Sequence, residues 1–212
     1  MNPTPHNETK QTFFDRLRSY LAPSELLDIQ VAYTLAKHAH RSQTRKELDG
    51  SGNPIRYFEH CRAAALVAMD IGKTFKRDVI ISCLLHDTLE DTQEISIEMI
   101  DHLFGPVVAR AVKFVTKDDL LDETSYYSRL SEDPVALTVK LSDRISNLNT
   151  VSQCSENFIN KQIEKTNLFI ELSSTKGTNP QNIVEARLYS YLCELNKELK
   201  SKRKPNEAAK TI

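Results

Sequence analysis

The chain has 212 residues, of which 40% are hydrophobic, and its 28 basic residues nearly balance its 29 acidic ones. This length fits one domain with a buried core, and the balanced charge gives no global support for nucleic-acid or membrane binding. No apolar run reaches the ~18 residues that a membrane span needs. Four scattered cysteines without a C-x-x-C pair favour a reducing compartment, so we expect a cytoplasmic protein.

Helical signals follow one another along the chain, and long periodic stretches with only five glycines favour helices over a turn-rich β architecture. The polar residues 1–10 and 201–212 are predicted to be disordered, and 41–54, rich in turn formers, is predicted to be a loop. The pattern predicts one all-α domain over 11–200. Its predicted helices span 11–21, 24–40 with Ser24 as N-cap, 57–71, 77–92, the stretch from Ser96 to Gly105, 106–116, a short one at Tyr126-Tyr127, 134–150 after the Asp133 cap, 156–172 and 181–200.

The stretch LLHDTLEDT, residues 84–92, puts one imidazole and three carboxylates directly after an apolar run. On a helix turning about 100° per residue, His86, Asp87, Glu90 and Asp91 share one polar arc of roughly 140°. The apolar residues Ile81, Leu85 and Leu89 lie on the opposite side. Taken alone, this pattern also fits an ordinary amphipathic helix that shows its acids to water.

Two further helices carry polar residues in apolar surroundings. Helix 134–150 places Lys140, Asp143 and Asn147 on one face, and a buried aspartate there needs cations or a metal to compensate it. Helix 57–71 is mostly Ala, Leu, Val and Met, yet it carries His60 in its first turn. A lone histidine of this kind is more often a core residue than a ligand, but the three helices together favour a shared site.

The order H…HD…D resembles the metal-binding signature of the HD phosphohydrolase superfamily. AHRSQTRK, YFEHC, LLHDTLEDT and VKLSDRISNLNT are together similar to the hydrolase half of RelA/SpoT-homologue alarmone enzymes, and most similar to the stand-alone small alarmone hydrolases. The resemblance runs from about residue 28 to residue 170 and implies an HD-domain helical bundle. The residues after 170 leave room only for closing helices, so we expect no fused synthetase.

The resemblance also implies the metal site. It assigns the metal ligands His60, His86, Asp87 and Asp143. Glu90 and Asp91 lie one turn beyond the HD pair, where we expect them to orient and deprotonate the attacking water. Two imidazoles and two carboxylates suit one Mn²⁺ per site with open positions, whereas zinc would more often want a tighter tetrahedral site. The expected reaction removes the 3′-pyrophosphate from guanosine tetra- or pentaphosphate, a small-molecule nucleotide.

The nucleotide itself needs cations and a surface for its base. By the same resemblance, the substrate contacts are Arg45, Lys46, Tyr57, Lys117, Lys140, Asn147, Thr150 and Lys161. Arginine is able to stack on a base. For Lys117, Lys140 and Lys161 the alternative is a solvated surface lysine.

Three departures from the family pattern bear on substrate choice. Ser42 replaces a glycine, extra residues stand around ELDGSGNPIR before Tyr57, and Cys61 follows His60 in place of proline. The first two change the loop expected to hold the base, so adenosine analogues of the alarmone or NADPH remain alternative substrates. A module that binds alarmone without hydrolysing it, or neutralises a toxic synthetase, is the alternative from another class. The oligomeric state stays open.

Overall fold

The computed structural model describes residues 8–118, 120–151, 154–175 and 182–202, with the backbone alone for 173–175. These residues form a helical bundle with one small hairpin, which confirms the predicted all-α class. The elements are α1 (Lys10–Leu17), α2 (Pro23–Ala39), β1 (Thr44–Leu48), β2 (Pro54–Arg56), α3 (Phe58–Asp70), α4 (Arg77–Leu85), α5 (Thr88–Asp91), α6 (Ile97–Phe104), α7 (Pro106–Val115), α8 (Glu123–Ser131), α9 (Pro134–Thr150), α10 (Glu156–Thr175) and α11 (Ile183–Ser201).

Helix α9 lies at the centre of the bundle and packs against α3, α4, α7 and α11. Asp133 caps it by accepting hydrogen bonds from the backbone N–H groups of Val135 and Ala136, and Pro134 occupies its first turn, as predicted. Every residue of α3 from Phe58 to Met69 is buried. The small side chains of its alanines allow α9 and α4 to approach closely, which brings three polar segments towards one point.

The N-terminal cap of α2 differs from the prediction. Ala22 is the N-cap, Pro23 occupies the first helical position, and Ser24 lies inside the helix. Glu25 accepts a hydrogen bond from the Ala22 N–H at 2.9 Å. The fixed φ of proline suits the first turn, so the helix begins before the serine.

The segment predicted to be a loop contains a β-hairpin. Strands β1 and β2 pair antiparallel with a bulge, and Gly52 takes a φ of 80° in the turn between them. Strand β1 has the sequence TRKEL, which lacks the alternation of apolar and polar residues that indicates a strand. Its inward side chain is the carboxylate Glu47, so an ion pair and not an apolar face holds it.

The continuous helix predicted over 77–92 is interrupted at His86 and Asp87. The carbonyl oxygen of Cys83 is 2.9 Å from His86 Nδ1, and the Thr88 hydroxyl donates to the Leu85 carbonyl at 2.7 Å. These side chains take up carbonyls at the end of α4, and the chain resumes as the short α5. The single polar arc drawn through this stretch is therefore wrong beyond His86.

The ends of the chain bear on the remaining predictions. Thr9 caps α1 and Lys10 begins it, while Ser201 ends α11, so the helices slightly exceed the predicted 11–200 boundaries. The disorder predicted for the two termini otherwise concerns residues 1–7 and 203–212, which lie outside the described residues.

In the described ranges, no helix combines the length and the apolar character that crossing a membrane requires. All four cysteines are free, and Cys61 is fully buried.

Candidate metal centre

The candidate site forms where α3, α9 and the junction of α4 with α5 meet. His60 lies in the first turn of α3, His86 and Asp87 fill the junction, and Asp143 lies midway along α9. His60 Nε2 is 3.2 Å from Asp143 Oδ1 and 3.5 Å from Asp87 Oδ2. His86 Nε2 is 3.0 Å from Asp87 Oδ2 and 3.7 Å from Asp143 Oδ1. The structure thus brings together all four residues predicted as ligands.

Both imidazole rings are held by their Nδ1 atoms. His60 Nδ1 is 3.2 Å from the Ser146 hydroxyl, and His86 Nδ1 is 2.9 Å from the Cys83 carbonyl oxygen. A carbonyl oxygen only accepts, so His86 carries a proton on Nδ1. These contacts turn both Nε2 atoms inward, and contacts of this kind orient metal-binding histidines.

The cluster fits a divalent metal ion. One ligand atom each from His60, His86 and Asp87 lies within 4.8 Å of the others, with Asp143 directly beside the two imidazoles. His86 Nε2 is buried and has no hydrogen-bond partner among the described residues, although Asp87 is close. A buried polar atom without a partner is costly, and a metal ion at this point would satisfy it.

The charges of the cluster also favour a cation. Burial lowers the pKa of His86, but the carboxylates of Asp87 and Asp143 outweigh burial and raise that pKa to about 10. Burial and the guanidinium of Arg45 lower the pKa of His60. Burial raises the pKa of Asp143, but Lys140 and the two histidines outweigh it and lower that pKa well below its usual range. The carboxylates therefore attract a proton to His86, which a metal ion would displace.

Tyr57 completes one side of the cluster. Its hydroxyl donates a hydrogen bond to Asp87 Oδ2 at 2.9 Å, and its ring stacks against His40 with centroids 4.9 Å apart. Burial and the charge of Asp87 raise the pKa of Tyr57, so the hydroxyl stays a donor. It is therefore placed to orient the Asp87 carboxylate.

Glu90 and Asp91, the two carboxylates predicted to act on the attacking water, lie on α5 at the solvent side of the cluster. Both side chains are exposed, and Glu90 Oε2 accepts a hydrogen bond from the Lys117 backbone N–H at 3.2 Å. The Asp91 carbonyl accepts from Gln43 Nε2 at 2.7 Å, which ties α5 to the start of the hairpin segment. The break after Leu85 thus leaves two carboxylates next to the buried ligands but open to water.

Arg45 is largely buried and bound by neighbouring side chains. Its side chain is 13% exposed, and its guanidinium donates to both oxygens of Glu47 and also to Asn147 Oδ1 at 2.9 Å. Asn147 Nδ2 in turn donates to Asp143 Oδ1 at 2.6 Å, and the Thr150 hydroxyl donates to Glu47 at 3.3 Å. Arg45 therefore contacts Asn147 directly and is joined to Thr150 through Glu47, a residue that was not predicted to belong to the site.

The predicted lysines occupy different positions. Lys140 Nζ is 3.2 Å from Asp143 Oδ2, so it belongs to the cluster and is not a solvated lysine. Lys117 is exposed, and its Nζ lies 3.6 Å from Glu123. Lys161 is exposed on α10, and Lys46 lies on the hairpin with its Nζ 4.8 Å from the centre of the Phe158 ring.

A fifth lysine, Lys165, lies close enough to this group to interact with its charges, and it was not predicted from the sequence. Burial lowers its pKa, and so do the positive charges of Arg144, Lys161, Lys117 and Lys140. Helical spacing places Lys165 on the same face as Lys161. That spacing was readable in the sequence, but the approach of α10 to Lys140 was not.

The fold and the site define an HD-type helical protein with a His/Asp cluster that could hold a metal ion, and comparison with known proteins agrees. Residues 32–178 match a family model described as an HD domain, and the chain belongs to that family. The resemblance read from LLHDTLEDT and VKLSDRISNLNT is thereby confirmed.

Relatives with assigned names narrow the family. Guanosine-3′,5′-bis(diphosphate) 3′-pyrophosphohydrolase of Aquifex aeolicus is 37% identical over 137 residues, which cover 61% of this chain and 18% of that protein. Guanosine-3′,5′-bis(diphosphate) 3′-pyrophosphohydrolase MESH1 of Danio rerio is 34% identical over 125 residues, 57% of this chain and 67% of that protein. GTP pyrophosphokinase rsh of Brucella melitensis is 34% identical over 153 residues, 67% of this chain and 19% of that protein. The chain thus spans about a fifth of the length of these bacterial relatives.

A solved structure shares the fold. It is described as a metazoan orthologue of SpoT that hydrolyzes ppGpp, and it superposes with a TM-score of 0.65. The alignment covers 84% of this chain and 97% of that one at 23% sequence identity. This likeness confirms the predicted HD-domain bundle.

Proposed function

We propose that this protein is a metal-dependent hydrolase that removes the 3′-pyrophosphate of guanosine tetra- or pentaphosphate. The observation that carries the proposal is the cluster of two imidazoles and two carboxylates from α3, α9 and the α4–α5 junction, with Glu90 and Asp91 beside it. The names of the Aquifex and Danio relatives support the same reaction. The products are GDP or GTP and pyrophosphate.

The metal ligands in this proposal are His60, His86, Asp87 and Asp143. Nitrogen and carboxylate donors without thiolate suit Mn²⁺ with positions left open for other oxygen ligands. When bound, such an ion neutralises phosphoryl charge and makes a bound water more acidic. Tyr57, which donates to Asp87, keeps one ligand in a fixed orientation.

Glu90 and Asp91 orient the attacking water and accept its proton. Water adds to the phosphorus joined to the 3′ oxygen, and the bond from that phosphorus to the 3′ oxygen breaks. Pyrophosphate leaves, and the 3′ oxygen takes up a proton to become the 3′ hydroxyl. The exposure of both carboxylates gives water access to them, and the Lys117 N–H holds Glu90 in place. Proton transfer by a positioned side chain contributes typically about 10²- to 10⁴-fold to the rate.

The phosphates and the nucleoside contact different sides of the cluster. Lys140, Lys117 and Lys161 offset the charge of the phosphates. Lys46, Tyr57, Asn147 and Thr150 line the nucleoside. Arg45 supports that side from behind, because its guanidinium is almost buried and is engaged by Glu47 and Asn147.

The test is pyrophosphate release with Mn²⁺ from ppGpp and ppApp, and phosphate release from NADPH, in parallel at equal concentration. We expect turnover of ppGpp that stops on chelation, and we expect Asp87→Ala to lose both the metal and the activity. Full turnover by Asp87→Ala would refute the proposed metal centre. A preference for ppApp or NADPH would show that the hairpin redirects the same chemistry to another nucleotide.

A paired variant separates hydrolysis from binding alone. The double change Glu90→Gln/Asp91→Asn should keep Mn²⁺ and nucleotide binding but turn over about 10²- to 10⁴-fold more slowly. The matched control is Glu98→Gln/Asp101→Asn, which neutralises two exposed acids of α6 and should leave turnover unchanged. Release from none of the three substrates, with the metal bound, would instead favour a non-hydrolytic alarmone-binding module.

A further inference from the structure

The β-hairpin places a buried carboxylate behind the metal centre. Glu47 is 4% exposed, although it lies in a strand whose neighbours Lys46 and Leu48 are exposed. It accepts hydrogen bonds from Arg45 Nε at 3.1 Å and from Arg45 Nη2 at 2.9 Å. A buried charge needs a partner, and this two-point contact supplies it while fixing the plane of the guanidinium.

The fixed guanidinium determines how Asn147 is oriented. Arg45 only donates, so it selects the side-chain carbonyl oxygen of Asn147, which lies 2.9 Å away. The Asn147 amide nitrogen is then left to donate to Asp143 Oδ1 at 2.6 Å. Glu47, Arg45 and Asn147 thus form one chain of hydrogen bonds that ends on Asp143.

The last atom of this chain belongs to the cluster itself. Asp143 Oδ1 is the oxygen 3.2 Å from His60 Nε2, while Lys140 holds the other oxygen, Oδ2, at 3.2 Å. Glu47 also neutralises the charge of Arg45, which would otherwise oppose a cation at the centre. Its contribution is therefore both geometric and electrostatic.

We propose that Glu47 is a positioning residue for the metal centre, acting through Arg45 and Asn147 on the Asp143 carboxylate. This inference rests on the proposed function, because it takes Asp143 to be a metal ligand. It assigns Arg45 to the support of Asp143 and makes the hairpin part of the metal site.

The test measures Mn²⁺ affinity of the whole protein by calorimetry or EPR, without substrate. Glu47→Gln should raise the dissociation constant about 10- to 100-fold, the usual cost of losing a residue that orients a metal ligand. The side-chain amide signal of Asn147, recorded by ¹⁵N NMR in the metal-free protein, should shift in the same variant. An affinity within twofold of the wild type together with an unshifted Asn147 signal would overturn the proposal.

Two further variants guard the interpretation. Arg45→Lys keeps a positive charge for Glu47 but lacks the planar guanidinium that bonds Glu47 and Asn147 at the same time. It should therefore lose Mn²⁺ affinity to a similar extent. This variant decides the matter if Glu47→Gln does not fold. Asp133→Asn is the control, since Asp133 is a buried carboxylate paired with Arg110 at the far end of α9. A comparable loss in Asp133→Asn would show a general effect of stability and overturn the proposal.

The outcome is separable from that of the proposed function. Wild-type protein that binds Mn²⁺ but releases no pyrophosphate would refute the hydrolase proposal and leave the affinity ratios to decide the role of Glu47. Wild-type protein that binds no Mn²⁺ would refute the metal centre, and the Asn147 signal would then decide whether Glu47 orients that amide.

Discussion

Individual side chains at the candidate site make one contact with the cluster and a second contact with a neighbouring residue. His86 receives its orientation from the Cys83 carbonyl, while its other ring nitrogen faces the cluster. Lys140 contacts Asp143 at 3.2 Å and lies near the Tyr126 ring, with Nζ 5.7 Å from the ring centre. Lys165 lies outside the recognised motifs, yet its pKa is lowered by burial and by the positive charges of Arg144, Lys161, Lys117 and Lys140.

Lys165 supports a prediction at this scale. Removing its charge by Lys165→Gln should raise the KM for ppGpp about two- to fivefold, the effect of ~0.5–1 kcal/mol for a screened surface charge, and leave kcat unchanged. Steady-state kinetics at low and high salt measures it, and the difference should shrink at high salt. The control Lys113→Gln removes an exposed lysine of α7. An equal rise in KM for Lys113→Gln would show that the total charge of the protein, and not the position of Lys165, causes the effect.

Among the elements, the hairpin and the short α5 differ most from an uninterrupted helical bundle. Asp49 Oδ1 accepts hydrogen bonds from the Ser51 and Asn53 N–H groups at 2.8 Å each, which builds the turn between the strands. The Tyr57 N–H donates to the Gln43 carbonyl at 2.9 Å, which joins the base of the hairpin to α3. The turn therefore helps hold Glu47 and Arg45 against α9.

The turn yields a prediction with a matched control in the same loop. Gly52→Ala should destabilise the protein by about 1 kcal/mol, because Gly52 has a φ of 80° that a residue with a Cβ adopts at a cost. Gly50→Ala should have little effect, since neither a positive φ nor a neighbouring atom within 4 Å opposes a Cβ there. Urea denaturation measures both. Equal destabilisation by the two changes would contradict the argument from φ.

At the scale of the whole molecule, the candidate metal centre connects helices that are distant in the sequence. His60 and Asp143 are far apart in the sequence, with helices α4 to α8 between them, and they meet because α3 packs against α9. Arg144 extends the same connection outward, since its guanidinium donates to Gln162 and Thr166 of α10. A metal ion at this point should therefore stabilise the bundle as a unit.

That stabilisation is measurable by thermal unfolding. At a Mn²⁺ concentration of about 100 times the dissociation constant, binding to the folded state alone contributes ~2.7 kcal/mol, or a rise in Tm of roughly 5–10 °C at this chain length. Asp87→Asn should abolish the rise, whereas Asp101→Asn, an exposed carboxylate of α6, should preserve it. A rise of the same size in Asp87→Asn would place Mn²⁺ elsewhere on the protein.

Much of the fold could be predicted because local rules decide it. Asp133 with Pro134, and Ser96 ahead of an apolar run, mark helix starts that depend on neighbouring residues only. The resemblance carried by the order H…HD…D likewise named the four residues of the cluster, His60, His86, Asp87 and Asp143. The break at His86 could not be predicted from periodicity, because side chains of the motif itself take up the carbonyls that end α4.

By itself, then, the sequence determined the helical class and most helix starts, since caps and periodicity are local properties, and its resemblance to a known family named the residues that meet at the centre. Only the tertiary structure decided that a charged segment forms a hairpin, that Glu47 is buried behind Arg45, and that Lys165 joins the lysines around Lys140. The physical reason is that these features depend on charges brought together across the bundle, where burial removes the water that would otherwise separate them.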